Sequence, residues 1–182
     1  MSGITQIRIS GFGGQGIVLA GVLLGQAGVL EGKYVTGSNS YGAQARGSAC
    51  KAEVVFSENP IDFPHVITAD ILVVMSQGGY QGCYLEVKRP GGLILYDQGL
   101  VRPDPDSGIR QIGIAATGEA LKYFKTQQSA NLVMLGALIE ISRLVSAQVM
   151  KKAVRMEIPE RFRKANLKAL TLGMGLGRRA CG

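Results

Sequence analysis

The sequence is poor in several residue types on which many catalytic and metal sites depend. Its 182 residues include no tryptophan, one histidine and three cysteines. The cysteines are scattered and odd in number, so they form neither a disulfide framework nor the C-x-x-C pair of a zinc or iron–sulfur site. His65 has no paired Ser, Cys or carboxylate motif for a Ser–His–Asp or Cys–His arrangement. We therefore predict no catalytic and no metal-ligating residues on this chain.

Long apolar runs and an export signal are also lacking. No run reaches the roughly 18 to 20 residues that a membrane span needs. The first residues show no basic segment followed by an apolar region and a small-residue cleavage site. Together with the unpaired cysteines, these features predict a cytoplasmic protein that does not contact a membrane.

Acidic residues are scarce at one end of the chain. Residues 1–150 have no net charge, whereas residues 151–182 carry nine Lys and Arg against Glu157 and Glu160, a net charge of +7. Two interpretations remain open, a solvated helix with a basic tail or a docking surface for an acidic partner. Nucleic-acid binding is not predicted, because Phe162 is the segment's only aromatic residue and no binding motif is present.

What the chain does contain is 46% apolar residues and 26 glycines clustered at turns. Strands are predicted over residues 4–9, 32–36, 49–56, 70–75, 93–96 and 109–114, and helices over 15–30, 76–88, 119–125, 131–144, 147–157 and 159–172. This alternation predicts an α/β fold, a three-layer αβα Rossmann-like domain with a mostly parallel sheet and a helical C-terminal part. We expect one domain over residues 1–172 and a basic, flexible tail over 173–182.

A glycine-rich turn is the sharpest motif. Residues 11–16 (GFGGQG) fit G-x-G-x-x-G directly after a predicted strand and at the start of a predicted helix. Glycine permits a tight turn with positive φ, and a helix N-terminus directs free N–H groups at a phosphate. A purely structural turn is the alternative. The predicted cofactor-binding residues here are Gly11, Gly13, Gly14, Gln15 and Gly16.

The identity of the bound phosphate is constrained by a missing acid. A NAD site requires Asp or Glu at the end of the second strand, where this chain has only residues 36–39 (TGSN). Glu31 precedes that strand and is therefore misplaced. NAD is disfavoured, whereas NADP, or coenzyme A with its phosphate elsewhere on the ribose, could use Arg46.

A long polar loop is predicted over residues 37–48. Its hydroxyls, amides, aromatic ring and single guanidinium suit the recognition of an anion or a carbonyl. An ordinary surface loop with Arg46 in a salt bridge is the alternative. Downstream, residues 129–131 are interpreted first as a helix N-cap and second as a ligand contact. The candidate binding residues of the loop are Ser40, Tyr41, Gly42, Arg46 and Gly47.

Two segments carry a family resemblance. Residues 9–17 (ISGFGGQGI) and 40–47 (SYGAQARG), followed by 54–57 (VVFS), resemble the gamma subunit of 2-oxoacid:ferredoxin oxidoreductases, and the similarity extends to about Leu144. The chain departs from many members at Gln44, where they have glutamate, and at Ser48, where they have a second glycine. The first departure puts a charge-based role at position 44 in doubt.

The resemblance implies a function for the whole enzyme. Such enzymes decarboxylate a 2-oxoacid oxidatively on thiamine diphosphate, pass the electrons through iron–sulfur clusters to ferredoxin and transfer the acyl group to coenzyme A. The implied partners are thiamine-binding alpha and beta subunits, a ferredoxin-like delta subunit and external ferredoxin, with a gamma–gamma contact left open. Thiamine diphosphate and the clusters are expected on the partners, and this chain is expected to be inactive alone.

The resemblance also implies coenzyme A at or near this subunit. We expect the glycine turn to bind one of its phosphates and Arg46 the other. The segment around Gln44 and residues 61–64 (IDFP) look more like the 2-oxoglutarate or branched-chain types than the pyruvate type. The pyruvate, ketoisovalerate and indolepyruvate types remain alternatives, as does a stand-alone NADP-binding reductase.

Overall fold

The computed structural model describes residues 3–41 and 49–181, which form a mixed six-stranded sheet with helices on both faces. The predicted three-layer α/β fold is confirmed. The elements are β1 (Ile4–Phe12), α1 (Ile17–Leu30), β2 (Tyr34–Tyr41), β3 (Ala49–Ser57), β4 (Ile71–Val74), α2 (Gln77–Cys83), β5 (Leu93–Asp97), β6 (Arg110–Ile114), α3 (Ala116–Phe124), α4 (Ala130–Ser142), α5 (Ala147–Glu157) and α6 (Glu160–Cys181).

The sheet has the strand order β2-β3-β1-β4-β5-β6. Strands β1, β4, β5 and β6 are parallel neighbours, and β3 is antiparallel to both β1 and β2. The mostly parallel sheet is therefore as predicted. All four residues of β4 are buried, as expected of a strand covered on both faces. We call the edge where β1, β4, β5 and β6 end the carboxyl edge of the sheet.

The centre of the sheet contains a buried arginine. Arg8 is 5% exposed, and its Nε donates to Glu53 Oε1 at 2.7 Å. Its other nitrogens donate to Glu86 and to the Val66 carbonyl oxygen. Burial disfavours the charge, but the hydrogen bond that Arg8 donates to Glu53 and the charges of Glu53 and Glu86 outweigh it and raise the pKa of Arg8. The cation is thus locked between β1 and its neighbours.

Strand β2 is longer than predicted. Its second half, residues 37–41, was expected to be loop, but it pairs with β3 from Gly37↔Val54 to Tyr41↔Cys50. Glycine, serine and asparagine have low intrinsic strand propensity, so this half is held by pairing with the apolar strand β3. The loop prediction for residues 37–41 is wrong for that reason, and residues 42–48 lie outside the described part of the chain.

The C-terminal segment is helical rather than a flexible tail. Helix α6 continues to Cys181, and residues 173–178 pack along α4. A Cβ on Gly173 would collide with the Val133 carbonyl oxygen, and one on Gly177 would lie 3.0 Å from that of Ala137. Glycines weaken an isolated helix, but here they let two backbones touch. The flexible-tail prediction is wrong because this contact cannot be identified from composition.

Helix α1 is apolar around its circumference and packs on the sheet through its glycines. A Cβ on Gly21 would lie 2.7 Å from Ala52 Cβ, and one on Gly28 would lie 2.5 Å from Phe56 Cε1. The glycine face therefore receives side chains of β3. Neither α1 nor any other helix in the described ranges combines the length and apolar character that crossing a membrane requires.

Candidate functional site

The two sequence motifs meet at the carboxyl edge. Cys50 at the start of β3 pairs with Gly11 on one side and with Tyr41 on the other. Neighbouring strands lie about 4.8 Å apart, so the backbones of Gly11 and Tyr41 are separated by about 10 Å. Gly42, Arg46 and Gly47 lie outside the described residues. The strands that precede and follow them both reach this edge, next to the glycine turn.

The glycine turn has the backbone that its sequence predicts. Gly11 still belongs to β1, Gly13 and Gly14 form the turn, and Gly16 is the N-cap of α1. Gly14 has φ +97° and Gly16 has φ +73°, values that side-chain-bearing residues rarely adopt. Gly16 supplies no side chain to cap α1, so the first N–H groups of the helix receive no side-chain cap. Such a terminus favours an anion or a carbonyl oxygen.

Gln15 holds the turn against the sheet. Its Oε1 accepts from the Phe12 N–H at 2.6 Å, and its Nε2 donates to the Met75 carbonyl oxygen at 2.7 Å. The side chain therefore links the ends of β1 and β4. A Cβ on Gly11 would lie 2.5 Å from the same Oε1, so the absence of a side chain at Gly11 leaves space for the Gln15 amide. The contacts assign Gln15 a positioning role, and its predicted ligand contact remains a prediction.

Asn131 joins the N-termini of α1 and α4. Its Nδ2 donates to the Gly16 carbonyl oxygen at 3.1 Å, and its Oδ1 accepts from the Leu132 N–H at 2.9 Å. A Cβ on Gly16 would collide with this amide. The hydroxyl of Ser129, at the N-cap position of α4, makes no capping hydrogen bond. The segment interpreted from sequence as an N-cap thus instead fixes two helix termini together.

These contacts border a cleft of about 200 Å³ at the carboxyl edge. Three of its seven described lining residues carry side-chain amides and Thr117 adds a hydroxyl, and none of the described lining residues is charged. The N-terminal ends of α1 and α4, which carry partial positive charge, both adjoin it. Sequence reasoning found two of its seven residues, because the others converge only through the fold. The lining residues are Gly14, Gln15, Met75, Thr117, Gln127, Gln128 and Ala130.

Ser40 and Tyr41 point to opposite faces of β2, as the two-residue period of a strand requires. Tyr41 lies on the face of Val35, which is the α1 face, and is 67% exposed. Ser40 lies on the other face and pairs with Lys51, a half-buried cation that sequence reasoning did not select. The strand thus carries the aromatic ring on the α1 face of the sheet and the hydroxyl on the opposite face.

The Glu31 carboxylate and the Cys50 thiol, which are close to these motifs in sequence, both have structural environments that exclude them from the site. Glu31 lies at the far end of α1, about 20 Å from the turn, and its carboxylate accepts from the Ser146 N–H and Oγ, both at 3.2 Å. It cannot contact a ribose beside the glycine turn. Cys50 is buried at the centre of the paired row, and burial raises the pKa of its thiol. This thiol remains protonated and unreactive near neutral pH.

The remaining residues that could bind a metal or act in catalysis are scattered over the structure. Within residues 3–41 and 49–181, no three His, Cys, Asp or Glu side chains are grouped as metal ligands. His65 packs edge-on against Phe63. A cavity of about 580 Å³ opens where the parallel strands begin, at the edge opposite the turn, and the Lys88–Asp70 ion pair at 3.0 Å spans part of its wall. None of the predicted site residues lines it.

Comparison with known proteins assigns the family. The model of the pyruvate ferredoxin/flavodoxin oxidoreductase family matches residues 6–176. The 2-oxoglutarate synthase subunit KorC of Methanocaldococcus jannaschii is 44% identical over 171 residues, covering 92% of this chain and 91% of the relative. Its counterpart from Methanothermobacter thermautotrophicus is 37% identical, covering 94% of each chain.

Solved structures agree with this assignment. The gamma subunit of a keto/oxoacid ferredoxin oxidoreductase from Geobacter sulfurreducens superimposes with a TM-score of 0.85 at 33% identity, covering 97% of this chain and 99% of that one. The 2-oxoglutarate:ferredoxin oxidoreductase of Magnetococcus marinus, solved with 2-oxoglutarate, coenzyme A and succinyl-CoA, has a TM-score of 0.88 at 25% identity. It covers 98% of this chain but 32% of that one.

The chain therefore belongs to the pyruvate ferredoxin/flavodoxin oxidoreductase family. The predicted resemblance to gamma subunits of 2-oxoacid:ferredoxin oxidoreductases is confirmed, and so is the prediction that the chain serves as a subunit of such an oxidoreductase.

Proposed function

We propose that this chain is the gamma subunit of a 2-oxoglutarate:ferredoxin oxidoreductase. The relatives support this substrate in a graded way. Four KorC relatives are 36% to 44% identical, two ketoisovalerate subunits VorA are 30% and 33% identical, and two pyruvate synthase subunits PorC are 28% and 29% identical. The assembled enzyme would convert 2-oxoglutarate and coenzyme A to succinyl-CoA and CO2, with two electrons passed to ferredoxin.

Thiamine diphosphate and iron–sulfur clusters on partner subunits would supply the decarboxylation and electron transfer. The role left to this chain is binding and positioning. The observation that carries the proposal is the row Tyr41–Cys50–Gly11, which brings the glycine turn and the strand leading to the SYGAQARG motif to one edge. A coenzyme with two separated phosphate groups suits two adjacent anion-binding elements.

Within this proposal the turn and the N-terminus of α1 bind the pyrophosphate of coenzyme A. Uncapped N–H groups and the helix dipole favour that charge, and the described lining residues contribute no cation of their own. The guanidinium of Arg46 donates two hydrogen bonds to the 3′-phosphate. Tyr41 offers an exposed ring beside them. The remaining contacts to the coenzyme would come from a partner subunit, because a cleft of about 200 Å³ holds only part of it.

The exposed face of α1 supports a subunit contact along the length of the helix. Leu19, Val22 and Val29 are 37%, 43% and 55% exposed and follow one another at helical spacing. The match in the Magnetococcus structure is about a third of a longer polypeptide, so there the same fold is joined to further parts of its own chain. We propose that this stripe packs against a thiamine-binding subunit.

Arg46→Ala in the assembled enzyme tests the coenzyme role. Loss of a charge-assisted, bidentate contact is expected to raise the KM for coenzyme A by about 10- to 100-fold. The KM for 2-oxoglutarate should not change. Lys33→Ala is the control, because Lys33 pairs with Glu58 at the far end of α1. An unchanged KM for coenzyme A would refute the role of Arg46 while leaving the subunit assignment intact.

The subunit assignment has its own test. Purification of the chain from its host should bring thiamine-binding and ferredoxin-type subunits with it, and the complex should prefer 2-oxoglutarate to pyruvate and 3-methyl-2-oxobutanoate. A monomer that binds NADPH and turns over alone would instead establish the stand-alone reductase.

A further inference from the structure

A groove of about 430 Å³ separates α5 from α6 and shares no lining residue with the cleft at the carboxyl edge. Among the described residues, its lining contains four cations and no acid. The first two cations belong to α5 and the other two to α6. The lining residues are Lys151, Arg155, Lys164, Leu167, Lys168 and Thr171.

The four cations form two like-charged pairs. Lys151 and Arg155 are four residues apart on α5, and Lys164 and Lys168 are four residues apart on α6. Residues at this spacing are neighbours on a helix surface, where equal charges repel and destabilise the helix. The groove places the two pairs against the same space. The fold therefore concentrates repulsive charge in one place.

None of the ion pairs among the described residues includes a groove cation, although Glu160 lies four residues before Lys164 on α6. The ion pairs within residues 3–41 and 49–181 involve other cations, such as Arg143 and Arg178, which share Glu140. The two acids of the basic segment, Glu157 and Glu160, do not line the groove. The positive charge is thus available to a ligand from outside the chain.

The wall of the groove fits carboxylates better than a phosphate ligand. All six lining residues lie within helices, where backbone N–H groups are bonded inside the helix, so no main-chain donors converge on an anion. Three of the four cations are lysines, which lack the bidentate fork of arginine. Leu167 adds an apolar surface, and paired cations at helical spacing match carboxylates with the same spacing on an acidic helix.

We propose that the groove between α5 and α6 binds a carboxylate-rich segment of a different polypeptide chain. A second copy of this chain does not offer such a segment, since its acids are dispersed. The closely spaced pair Asp104 and Asp106 is part of a local turn, in which the Asp104 carboxylate accepts from the Asp106 N–H at 3.0 Å. The groove would help to hold the acidic partner by charge complementarity.

Zero-length cross-linking of the assembled complex tests the proposal. A carbodiimide activates a carboxylate, and an amine in contact displaces the activating group to form an isopeptide bond. We expect bonds between Lys151, Lys164 or Lys168 and acidic residues of another chain, identified by mass spectrometry. Lys33–Glu58 at 2.5 Å and Lys88–Asp70 at 3.0 Å are internal positive controls. The proposal is overturned if these controls react while the three groove lysines form no interchain bond.

A charge-reversal pair adds a quantitative arm. Lys164→Glu/Lys168→Glu should reduce interchain cross-linking at Lys151 at least tenfold. Lys125→Glu/Lys152→Glu changes the net charge equally, and its α5 residue lies outside the groove lining, so cross-linking should be retained. Equal losses in both pairs would refute a groove-specific contact. Nuclease treatment that abolishes partner retention would refute a polypeptide ligand in favour of nucleic acid. Circular dichroism of each variant establishes that it is folded, and the wild-type cross-linking stands independently of the variants.

Discussion

The glycine turn and helix α6 are both rich in glycine, but the two regions need it for different physical reasons. At the turn, Gly14 and Gly16 have positive φ, which side chains disfavour. In α6, Gly173 and Gly177 lie in a helix and are needed because another backbone occupies the space of a Cβ. The same residue type therefore supports a ligand-facing turn in one place and helix packing in the other.

The two regions also differ in how they present positive potential. Among the described residues, the cleft beside the turn has no charged lining, and its turn is held in place by Gln15 and Asn131. The described lining of the groove beside α6 has four side-chain cations, and its backbone N–H groups are bonded within the helices. A fixed cradle suits one defined ligand, whereas long cationic side chains suit an extended partner and respond strongly to salt.

Among the substitutions that test this comparison, those in α6 are expected to change the free energy of unfolding the most. Gly173→Ala should lower the free energy of unfolding by about 3 kcal/mol, because its Cβ meets the backbone of α4. Gly175 is the matched control, since a Cβ there has no neighbour within 4 Å. Gly175→Ala should raise stability by about 0.5–1 kcal/mol. Urea denaturation measures both, and equal effects would contradict the backbone contact.

Substitutions at the glycine turn are expected to lower the free energy of unfolding by an intermediate amount. Gly16→Ala should cost about 2–3 kcal/mol, because it combines a disfavoured positive φ with displacement of the Asn131 amide. Gly14→Ala should cost about 1–2 kcal/mol, since its Cβ meets nothing.

A double-mutant cycle separates the two contributions at Gly16. In an Asn131→Ala background, Gly16→Ala should cost no more than Gly14→Ala, as measured by urea denaturation. A cost that does not depend on Asn131 would assign the whole effect to φ.

The smallest expected change in stability comes from salt, which screens the cations of the groove between α5 and α6. Raising NaCl from about 20 to 300 mM screens the two like-charged pairs, and we expect stabilisation of about 0.5 kcal/mol. Lys164→Gln/Lys168→Gln should lose about half of this gain, whereas Lys125→Gln/Lys152→Gln should retain it. The readout is the urea midpoint at each salt concentration. Identical salt responses in both variants would show that the groove lysines do not repel each other.

Sequence reasoning succeeded where the signal is local. The buried strand β4, the turn with its following helix and the helical second half all depend on short-range patterns of apolar residues and glycine. It failed for residues 37–41 and 173–178, whose structures come from pairing with β3 and packing on α4. No local pattern encodes either contact.

The candidate site divides in the same way. Gly14 and Gly16 were identified because a turn requires special backbone angles. Thr117, Gln127 and Gln128 were missed, since they enter the cleft only after the third and fourth helices fold against the sheet. Asn131 contacts Gly16 across 115 residues of sequence, a separation from which spacing carries no information.

The central position of β1 has a consequence for folding during synthesis. It leaves the ribosome before the other five strands of the sheet, yet the partner of Arg8, Glu53, follows 45 residues later, and the partner of Gln6, Asp70, follows 64 residues later. The apolar residues of β1 therefore remain unpaired until β3 and β4 have been synthesised. Because these contacts are distant in sequence, folding of the sheet is expected to be slow. Destabilising β3 or β4 should thus leave nascent chains open to chaperone binding and aggregation, with β1 as the exposed segment.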